Sequence, residues 1–269
     1  MSTGRSDSKR TSISFCVTCR NRLWQVKETL RANLKQIGDG HNICLVDFGS
    51  SDGLSEWIWS GFEKDIRDKR LTFFEVRNEV RWSMSRAKNL AHRMATGNYL
   101  FSLDADNWIV SEDIGQIEQA AEQGISCHQW SGSWADGSCG RLGVPRDLFL
   151  TLGGYDEALL PMGGEDLDLI QRILKAGGNL IRLSPPVILA LDNTDEDRMS
   201  EVGKLNASST DSAQIINNYN LSMSKIKLEL EGPRRLGGYA SFVGLLNGEL
   251  VLIDGFNRVS RIEKQSRPA

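Results

Sequence analysis

Apolar and polar positions alternate with two different periods along the first hundred residues. Short apolar runs bounded by turn-forming residues predict buried strands at Ser12–Thr18, Asn42–Val46, Leu71–Val76 and Tyr99–Leu103. Between the strands, apolar residues spaced three and four apart predict helices at Arg22–Ile37, Leu54–Asp65 and Ser83–Thr96. Strands that alternate with helices in this way are typical of a mostly parallel sheet with helices on both faces.

The pattern is less regular after residue 104. Further helices are predicted at Asp113–Gln123, Pro145–Leu152 and Glu165–Ala176, and short strands at Ile125–Trp130, Leu180–Leu183 and Val187–Leu191. Thr194–Asp211 is polar and predicts a loop with helical pieces. The turn-forming pair Asn247-Gly248, between apolar runs at Tyr239–Val243 and Glu249–Ile253, predicts a hairpin. We expect an α/β fold with a disordered tail over residues 1–10, one domain over 11–205 and a β-rich extension over 206–269 packed on it.

Composition excludes several classes of function. Hydrophobic residues make up 40% and charged residues 25%, which is typical of a soluble globular protein. A net charge of -3 argues against a dedicated nucleic-acid-binding domain. No apolar run approaches the roughly 18 residues of a transmembrane helix, and Met1–Arg10 lacks the apolar stretch of a signal peptide. We expect a cytoplasmic protein; contact with a membrane surface and a homo-oligomer both stay open.

Histidine and cysteine offer little chemistry in this chain. Three histidines are too few for a histidine-rich metal site, and five cysteines without a secretory signal disfavour a disulfide framework. Cys16 and Cys19 form a C-x-x-C with no second pair to complete a zinc site, so we expect them to be buried strand residues. The 35 acidic residues are the more abundant resource, and two clusters of them occupy informative positions.

The first cluster is Asp104-Ala105-Asp106, directly after the fourth predicted strand. In strand-like geometry, residues two apart point to the same side. Two carboxylates there can share Mg²⁺ or Mn²⁺ with phosphate oxygens, and ligands of open α/β sheets bind beyond the carboxyl ends of the strands. A solvated turn is the alternative interpretation of this motif taken alone.

The second cluster, Glu165 and Asp166, opens a helix after Gly163-Gly164. Acidic residues in a first turn stabilise the helix dipole, which is one interpretation; the other makes Asp166 a general base for an acceptor hydroxyl. Asp47 ends the second strand and can accept hydrogen bonds from a base or ribose. Basic and polar side chains after the first strand and in the third helix can bind phosphate, or can lie on a solvated surface: Arg20, Arg22, Arg86, Lys88 and Asn89.

These segments occur in the order found in GT-A glycosyltransferases. From Ser12 to about Asp197, the chain resembles their bacterial family 2 type and the β-1,4-galactosyltransferase and chondroitin-polymerase-like group. The resemblance is carried by TCRNR (Thr18–Arg22), VDFGSSDG (Val46–Gly53), SRAKNLA (Ser85–Ala91), DAD (Asp104–Asp106) and GGYDEALLPMGGEDLDL (Gly153–Leu169).

The resemblance implies a GT-A fold and an inverting, metal-dependent transfer from a UDP-sugar to a hydroxyl of a glycan or another acceptor. It assigns nucleotide contacts to Thr18, Arg20, Arg22, Asp47 and Arg86. It also implies that Asp104 contacts the ribose or a metal-bound water, and that Asp106 ligates Mn²⁺ or Mg²⁺. In the same way, Asp166 is implied as the catalytic base, with Glu165 orienting a sugar.

The chain departs from the family at one metal ligand. Members commonly supply a histidine after the helix that carries the acidic pair, whereas this chain has none beyond His128. Asp192 is the candidate in its place; a loop role for Asp192 and weak metal binding are the alternatives. The departure and the added tail keep a second function open, a catalytically silent nucleotide-sugar-binding or scaffold domain of a glycan-assembly complex. A nucleotidyltransferase is disfavoured because TCRNR contains no glycine.

Overall fold

A computed structural model of the protein describes residues 11–78, 81–133, 137–184, 190–191, 209–235, 238–256 and 258–262. Its centre is formed by four parallel strands, β1 (Ile13–Cys19), β2 (Asn42–Asp47), β3 (Leu71–Val76) and β4 (Tyr99–Ser102), in the spatial order β3-β2-β1-β4. These strands are apolar on both faces because helices cover both faces, as the uninterrupted apolar runs predict.

Shorter strands extend the sheet on both sides. They are β5 (Ser126–His128), β6 (Leu142–Pro145), β7 (Leu180–Arg182), β8 (Phe242–Leu246), β9 (Glu249–Ile253) and β10 (Val259–Arg261). The full order is β10-β9-β8-β3-β2-β1-β4-β6-β5-β7. Strand β6 runs antiparallel to β4, and β8 runs antiparallel to β3, so the sheet is mixed at its sides and parallel at its centre.

Helices pack on both faces of the sheet and form two cores. They are α1 (Leu23–Gln36), α2 (Leu54–Gly61), α3 (Glu63–Arg67), α4 (Met84–Met94), α5 (Ser111–Glu122), α6 (Arg146–Leu152), α7 (Glu165–Lys175) and α8 (Ser209–Glu231). One core joins α1, α2 and α5 to the sheet, and the other joins α4, α6 and α7 to its opposite face. In the described ranges, no helix combines the length and apolar character needed to cross a bilayer.

The predicted α/β class with a mostly parallel central sheet is confirmed. The hairpin is confirmed too: β8 and β9 are joined by Asn247 and Gly248, both with the positive φ that such a turn requires. Cys16 and Cys19 are buried in β1, and all five cysteines, which lie in the described ranges, are free thiols. The tail over residues 1–10 and most of the predicted strand Val187–Leu191 lie outside the described residues.

Several element predictions were wrong. Strand β4 ends at Ser102, and the segment after it turns, with the amide of Asn107 donating to the Asp104 carbonyl (3.1 Å); the strand-like spacing of Asp104 and Asp106 therefore does not apply. The helix expected over Leu54–Asp65 is divided at Phe62. Strands β6 and β10 were not predicted.

Helix α8, with 23 residues, was also not predicted. The region from 206 onward was expected to be β-rich, and helical pieces were expected only as far as Asp211, whereas this helix continues to Glu231. Its buried side chains in the described part are Ile216, Asn220 and Ser224, so polar residues interrupt the apolar stripe from which a helix is predicted in a sequence.

Candidate active site

The sequence-predicted site residues gather at one edge of the sheet. Strands β1, β2 and β4 are parallel and end at the same edge, where open α/β sheets bind their ligands. Thr18 is the penultimate residue of β1, Asp47 is the last residue of β2, and Asp104 follows β4 by two residues. The fold therefore brings the first, second and fourth strand ends of the prediction together.

The loops after β1 and β2 hold each other in place. The side-chain oxygen of Asn21 accepts a hydrogen bond from the Ser51 amide (2.8 Å), and the Asn21 amide donates to Ser50 Oγ (2.9 Å). Asp52 accepts from the Leu23 amide at the start of α1 (2.8 Å). This double loop carries Arg20 and Arg22, both half-buried, beside the end of β2.

Asp47 has a structural task within the double loop. It is 1% exposed, and its Oδ1 accepts a hydrogen bond from the Ser50 amide (2.8 Å). Burial raises the pKa of Asp47 to about 6, because the charged carboxylate loses water, while the hydrogen bonds from Ser50 oppose the shift. A contact between Asp47 and a nucleotide base stays a prediction.

The Asp104–Asp106 turn is held from beneath by helix α1. Thr29 Oγ1 donates to the Ala105 carbonyl (2.7 Å), and Asn33 Nδ2 donates to the Asn107 carbonyl (2.9 Å). Both helix residues are buried, and their polar groups are used to fix the backbone of this turn. The two acidic side chains themselves are half-buried.

A buried lysine joins the two acidic residues that open α7. Lys88 Nζ, on α4, lies 2.9 Å from Glu165 Oε1 and 2.8 and 2.7 Å from the two carboxylate oxygens of Asp166. The Lys88 side chain is only 4% exposed. Both oxygens of Asp166 are therefore fixed by one ammonium group, which sets the orientation of this carboxylate.

The pKa values in this cluster follow from burial and from the balance of charge, since the carboxylates outnumber the single ammonium group of Lys88. Burial raises the pKa of Asp166 to about 8, and the charge of Glu165 adds to the shift, while Lys88 opposes it. Burial also raises the pKa of Asp104, to about 6, against the opposing charge of Lys88, with the charges of Asp106 and Glu165 adding to it. Burial alone would lower the pKa of Lys88, but Asp166 and Glu165 outweigh burial and raise it.

The sequence interpretation of Lys88 and Asn89 as phosphate-binding groups was wrong. Lys88 is enclosed by carboxylates, and Asn89 is fully buried and bonded to the backbone of Tyr155, accepting from its amide (2.7 Å) and donating to its carbonyl (2.9 Å). One signal could have indicated the burial of Lys88, although not its partners: Lys88 lies among Ala87, Leu90 and Ala91, on the buried part of α4. The Arg86 side chain is 41% exposed, and its Nε lies 4.0 Å from a Glu157 oxygen. Arg86 therefore stays a candidate phosphate ligand.

The donor groups present fit a hard divalent cation. Asp104 and Asp106 supply carboxylate oxygens, the ligands that Mg²⁺ and Mn²⁺ prefer. Burial is the main cause of the raised pKa of Asp104, and the charges of Asp106 and Glu165 add to it, so further positive charge would be favourable here. The described residues contain no complete cluster of three or more metal-ligating side chains. The candidate third ligand, Asp192, lies outside them, but the Leu191 amide donates to the Asp106 carbonyl (2.9 Å), and Ala190 forms a β-bridge with Asn107.

Comparisons with known protein families agree with this architecture. The family model described as glycosyl transferase family 2 matches residues 14–132, and the model described as N-terminal domain of galactosyltransferase matches residues 126–193. Uncharacterized glycosyltransferases of Rickettsia felis and Rickettsia conorii are each 31% identical over 104 residues, which is 39% of this chain. The chain matches only 16% of the length of these curated relatives.

Three solved structures have a similar fold. A mannosyltransferase from Pyrobaculum calidifontis, in complex with GDP-Man and Mn²⁺, gives a TM-score of 0.58 at 17% identity, over 83% of this chain and 75% of that one. TarS from S. aureus, in complex with UDP-GlcNAc, gives 0.58 at 15% identity, over 82% and 68%. Glucosyl-3-phosphoglycerate synthase from Mycobacterium tuberculosis, in complex with Mn²⁺, UDP and glucosyl-3-phosphoglycerate, gives 0.55 at 12% identity, over 87% and 84%.

Because these identities are low, the likeness to solved structures shows the fold alone. The two family models, by contrast, match the amino-acid sequence. The two matched ranges together run from residue 14 to residue 193 and include every motif at the sheet edge. The sequence matches and the fold agree: residues 14–132 match the glycosyl transferase family 2 model, residues 126–193 match the galactosyltransferase model, and the chain has the fold of the solved structures it resembles.

Proposed function

We propose that the protein transfers a sugar from a UDP-sugar to a hydroxyl group of a glycan or another acceptor, with inversion at the anomeric carbon. The observation that carries this proposal is the Asp166 carboxylate, buried, fixed by Lys88 and raised in pKa, next to the residues that follow β4. A carboxylate with a raised pKa is a stronger base, as removal of a proton from an acceptor hydroxyl requires.

On the donor side, Thr18, Arg20, Arg22 and Asp47 bind the nucleotide, and Arg86 binds the diphosphate. Guanidinium groups suit this task because they present several donors to phosphate oxygens and keep their charge. The names of two solved neighbours support a uridine nucleotide, since one is a complex with UDP-GlcNAc and another a complex with UDP. The third is a complex with GDP-Man.

Asp106 and Asp104 would hold Mn²⁺ or Mg²⁺, with Asp192 as the third protein ligand in place of the family's histidine. When bound, the cation stabilises the negative charge that develops on the diphosphate leaving group. The hydrogen bond from the Leu191 amide to the Asp106 carbonyl supports the assignment of Asp192, because it joins the chain one residue before Asp192 to the Asp104–Asp106 turn.

The transfer itself is a single displacement. The acceptor oxygen forms a bond to the anomeric carbon while the bond from that carbon to the phosphate oxygen breaks, and the bonding electron pair leaves with UDP. The acceptor proton passes to the carboxylate of Asp166. Attack from the side opposite the leaving group inverts the configuration, and Glu165, held by the same ammonium group as Asp166, orients a sugar.

Replacement of Asp166 by asparagine tests the assigned base. Asp166→Asn keeps the size of the side chain but removes its basicity, so we expect turnover to fall roughly 10²- to 10⁴-fold, while UDP binding is unchanged. UDP release in the presence of acceptors measures the first, and calorimetry the second. Asp147→Asn, an exposed acidic residue on α6, is the matched control. Wild-type turnover in Asp166→Asn would exclude this residue as the base.

Chelation tests the cation. Treatment with EDTA should abolish UDP release, and added Mn²⁺ or Mg²⁺ should restore it, because the acidic pair alone cannot neutralise the leaving group. Asp106→Asn should raise the Mn²⁺ concentration needed for half-maximal activity. Full activity in EDTA would contradict the proposal. Binding of UDP-sugars without transfer or hydrolysis, with the cation present, would instead favour the catalytically silent scaffold.

A further inference from the structure

We propose that Asn220, on helix α8, is a positioning residue for the loop at residues 160–164, which precedes Glu165 and Asp166. Helix α8 then contributes to the geometry of the active site. This inference rests on the proposed function, since it takes Asp166 as the base. Asn220 lies 60 residues from the loop in sequence, and its side chain is fully buried.

The Asn220 side chain binds the loop backbone at several points. Its Nδ2 group donates to the carbonyls of Gly163 (2.7 Å), Leu160 (3.2 Å) and Met162 (3.2 Å), and its Oδ1 accepts from the Leu160 amide (2.8 Å). One amide group therefore serves both a donor and several acceptors of a short loop. Because the Asn220 amide is buried, it must be paired, and the loop backbone supplies its partners; the shape of this loop therefore depends on Asn220.

The loop has a conformation that needs such support. Gly163 and Gly164 have φ values of +84° and +82°, so two successive residues are left-handed directly before α7 begins. Only glycine adopts this conformation at little cost, but glycine also has the most conformational freedom to lose. External hydrogen bonds from Asn220 compensate for this loss and select one arrangement of the turn.

Helix α8 also lies directly against both glycines. A Cβ atom added to Gly163 would lie 3.2 Å from Asn217 Oδ1, and one added to Gly164 would lie 3.2 Å from Asn220 Cβ. The helix surface and the turn are thus fitted to each other. This packing is a second observation, independent of the hydrogen bonds, that α8 determines where α7 begins.

The position of this turn decides where the catalytic groups lie. Glu165 and Asp166 follow Gly164 immediately, and their carboxylates contact Lys88 on α4. Asn220 thus fixes the backbone of the acidic pair from one side, while Lys88 fixes the side chains from the other. A displacement of about 1 Å at a catalytic group can cost about 100-fold in rate, so loosening this turn should affect turnover more than donor binding.

Ser224 offers a matched control one helical turn further along α8. It is fully buried, like Asn220, but its hydroxyl donates to the side chain of Asp168 (Oδ1, 2.7 Å) on α7 and not to the loop backbone. Ser224→Ala therefore removes a buried hydrogen bond of the same helix without touching the loop. Asn218→Ala, at an exposed position of α8, controls for general effects on the helix.

The experiment compares Asn220→Ala, Ser224→Ala and Asn218→Ala as full-length proteins. For Asn220→Ala we expect kcat to fall at least tenfold while the affinity for UDP changes less than twofold; the two controls should keep kcat within about twofold. Hydrogen exchange, followed by mass spectrometry, should become faster in the peptide that contains residues 160–168 of Asn220→Ala and stay unchanged there in Asn218→Ala. If Asn220→Ala does not fold, Asn220→Ser, which retains one donor, takes its place.

The two readouts separate failure of this inference from failure of the proposed function. If the wild type turns over a UDP-sugar and Asn220→Ala keeps the wild-type kcat, the positioning role is overturned while the function stands. Equal losses of kcat in Asn220→Ala and Ser224→Ala would also overturn it, because a shared loss of stability would explain both. If the wild type turns over no donor, the function fails, and unchanged exchange at residues 160–168 of Asn220→Ala would overturn the role of Asn220 separately.

Discussion

At the scale of single residues, the proposed proton transfer depends on which buried groups are charged. The ring of His92 stacks on that of Phe149, with 4.7 Å between the ring centroids. Burial lowers the pKa of His92 to about 3, so this imidazole stays neutral. Lys88 is buried but kept charged by two carboxylates. Asp166 is the carboxylate whose pKa burial raises furthest in this cluster, to about 8. These environments leave Asp166 as the group suited to accept a proton near neutral pH.

The first prediction concerns the pH dependence of turnover. A base works only when unprotonated, so kcat/KM should rise with pH as Asp166 loses its proton, through a region near its pKa of about 8. Lys88→Met removes the charge that lowers this pKa, so the rising limb should move to higher pH. For each pH unit by which the limb moves, kcat/KM at a given pH below the limb should fall about tenfold. The pH profile of UDP release measures both effects.

The control for this prediction is Lys175→Met, which removes an exposed lysine from α7. Its profile should match that of the wild type. A Lys88→Met protein that is folded by circular dichroism and has the wild-type profile would show that Lys88 does not govern the base.

At the scale of elements, the turn between α6 and α7 is shaped by a glycine and an asparagine. Gly154 has φ +64°, and a Cβ atom placed there would lie 2.3 Å from Asn89 Oδ1. Asn89 needs this close approach to bond the Tyr155 backbone and, through Nδ2, Glu157 Oε1 (2.8 Å). Gly154 in GGYDE therefore allows α4 to hold the start of the segment that leads to Glu165 and Asp166.

We predict that Gly154→Ala destabilises the protein far more than an alanine in the same conformation elsewhere. Gly124 has the same φ of +64° but nothing within 4 Å of the added Cβ atom, so Gly124→Ala should cost only the left-handed conformation, about 1–2 kcal/mol. Gly154→Ala adds the clash with Asn89 and should cost about 3 kcal/mol or more. Urea denaturation measures both free energies of unfolding, and equal values would contradict the role of Asn89.

At the scale of the whole molecule, buried ion pairs join the C-terminal extension to the remainder of the protein. Arg235 binds Asp156 through Nε (2.7 Å) and Asp168 through Nη2 (3.2 Å), and Lys227 binds Asp156 as well. Strand β8 covers the side of β3 that would otherwise be a sheet edge. Charge and backbone pairing therefore both make the extension part of the folded structure.

Replacement of Arg235 tests this connection. Arg235→Gln leaves two buried carboxylates with fewer cations, which should lower the free energy of unfolding by about 3 kcal/mol. Arg234→Gln, at the neighbouring exposed position, should change it by less than about 0.5 kcal/mol. Chemical denaturation of both variants provides the comparison, and similar losses would mean that the ion pairs of Arg235 add little.

Much of the site was predictable because its motifs follow predicted strands. Thr18, Asp47 and Asp104 lie near the carboxyl ends of β1, β2 and β4, and parallel strands bring those ends to one edge. The partners of Lys88 were not predictable, since Glu165 and Asp166 lie 77 and 78 residues away. Nothing in the local pattern separates a buried lysine that binds carboxylates from one that binds phosphate.

The sequence by itself determined the elements whose apolar residues repeat at short range: the four central strands, the helices between them, the hairpin turn at Asn247-Gly248 and the family motifs. Periodicity reports which face of an element is buried, and this is a local property. Only the tertiary structure decided what the buried polar residues do. Lys88, Asn89 and Asn220 are buried, and Arg235 is half-buried, because a distant carboxylate or backbone group pairs with each of them. Such pairs form after the chain has brought distant segments together, so their spacing in the sequence carries no signal.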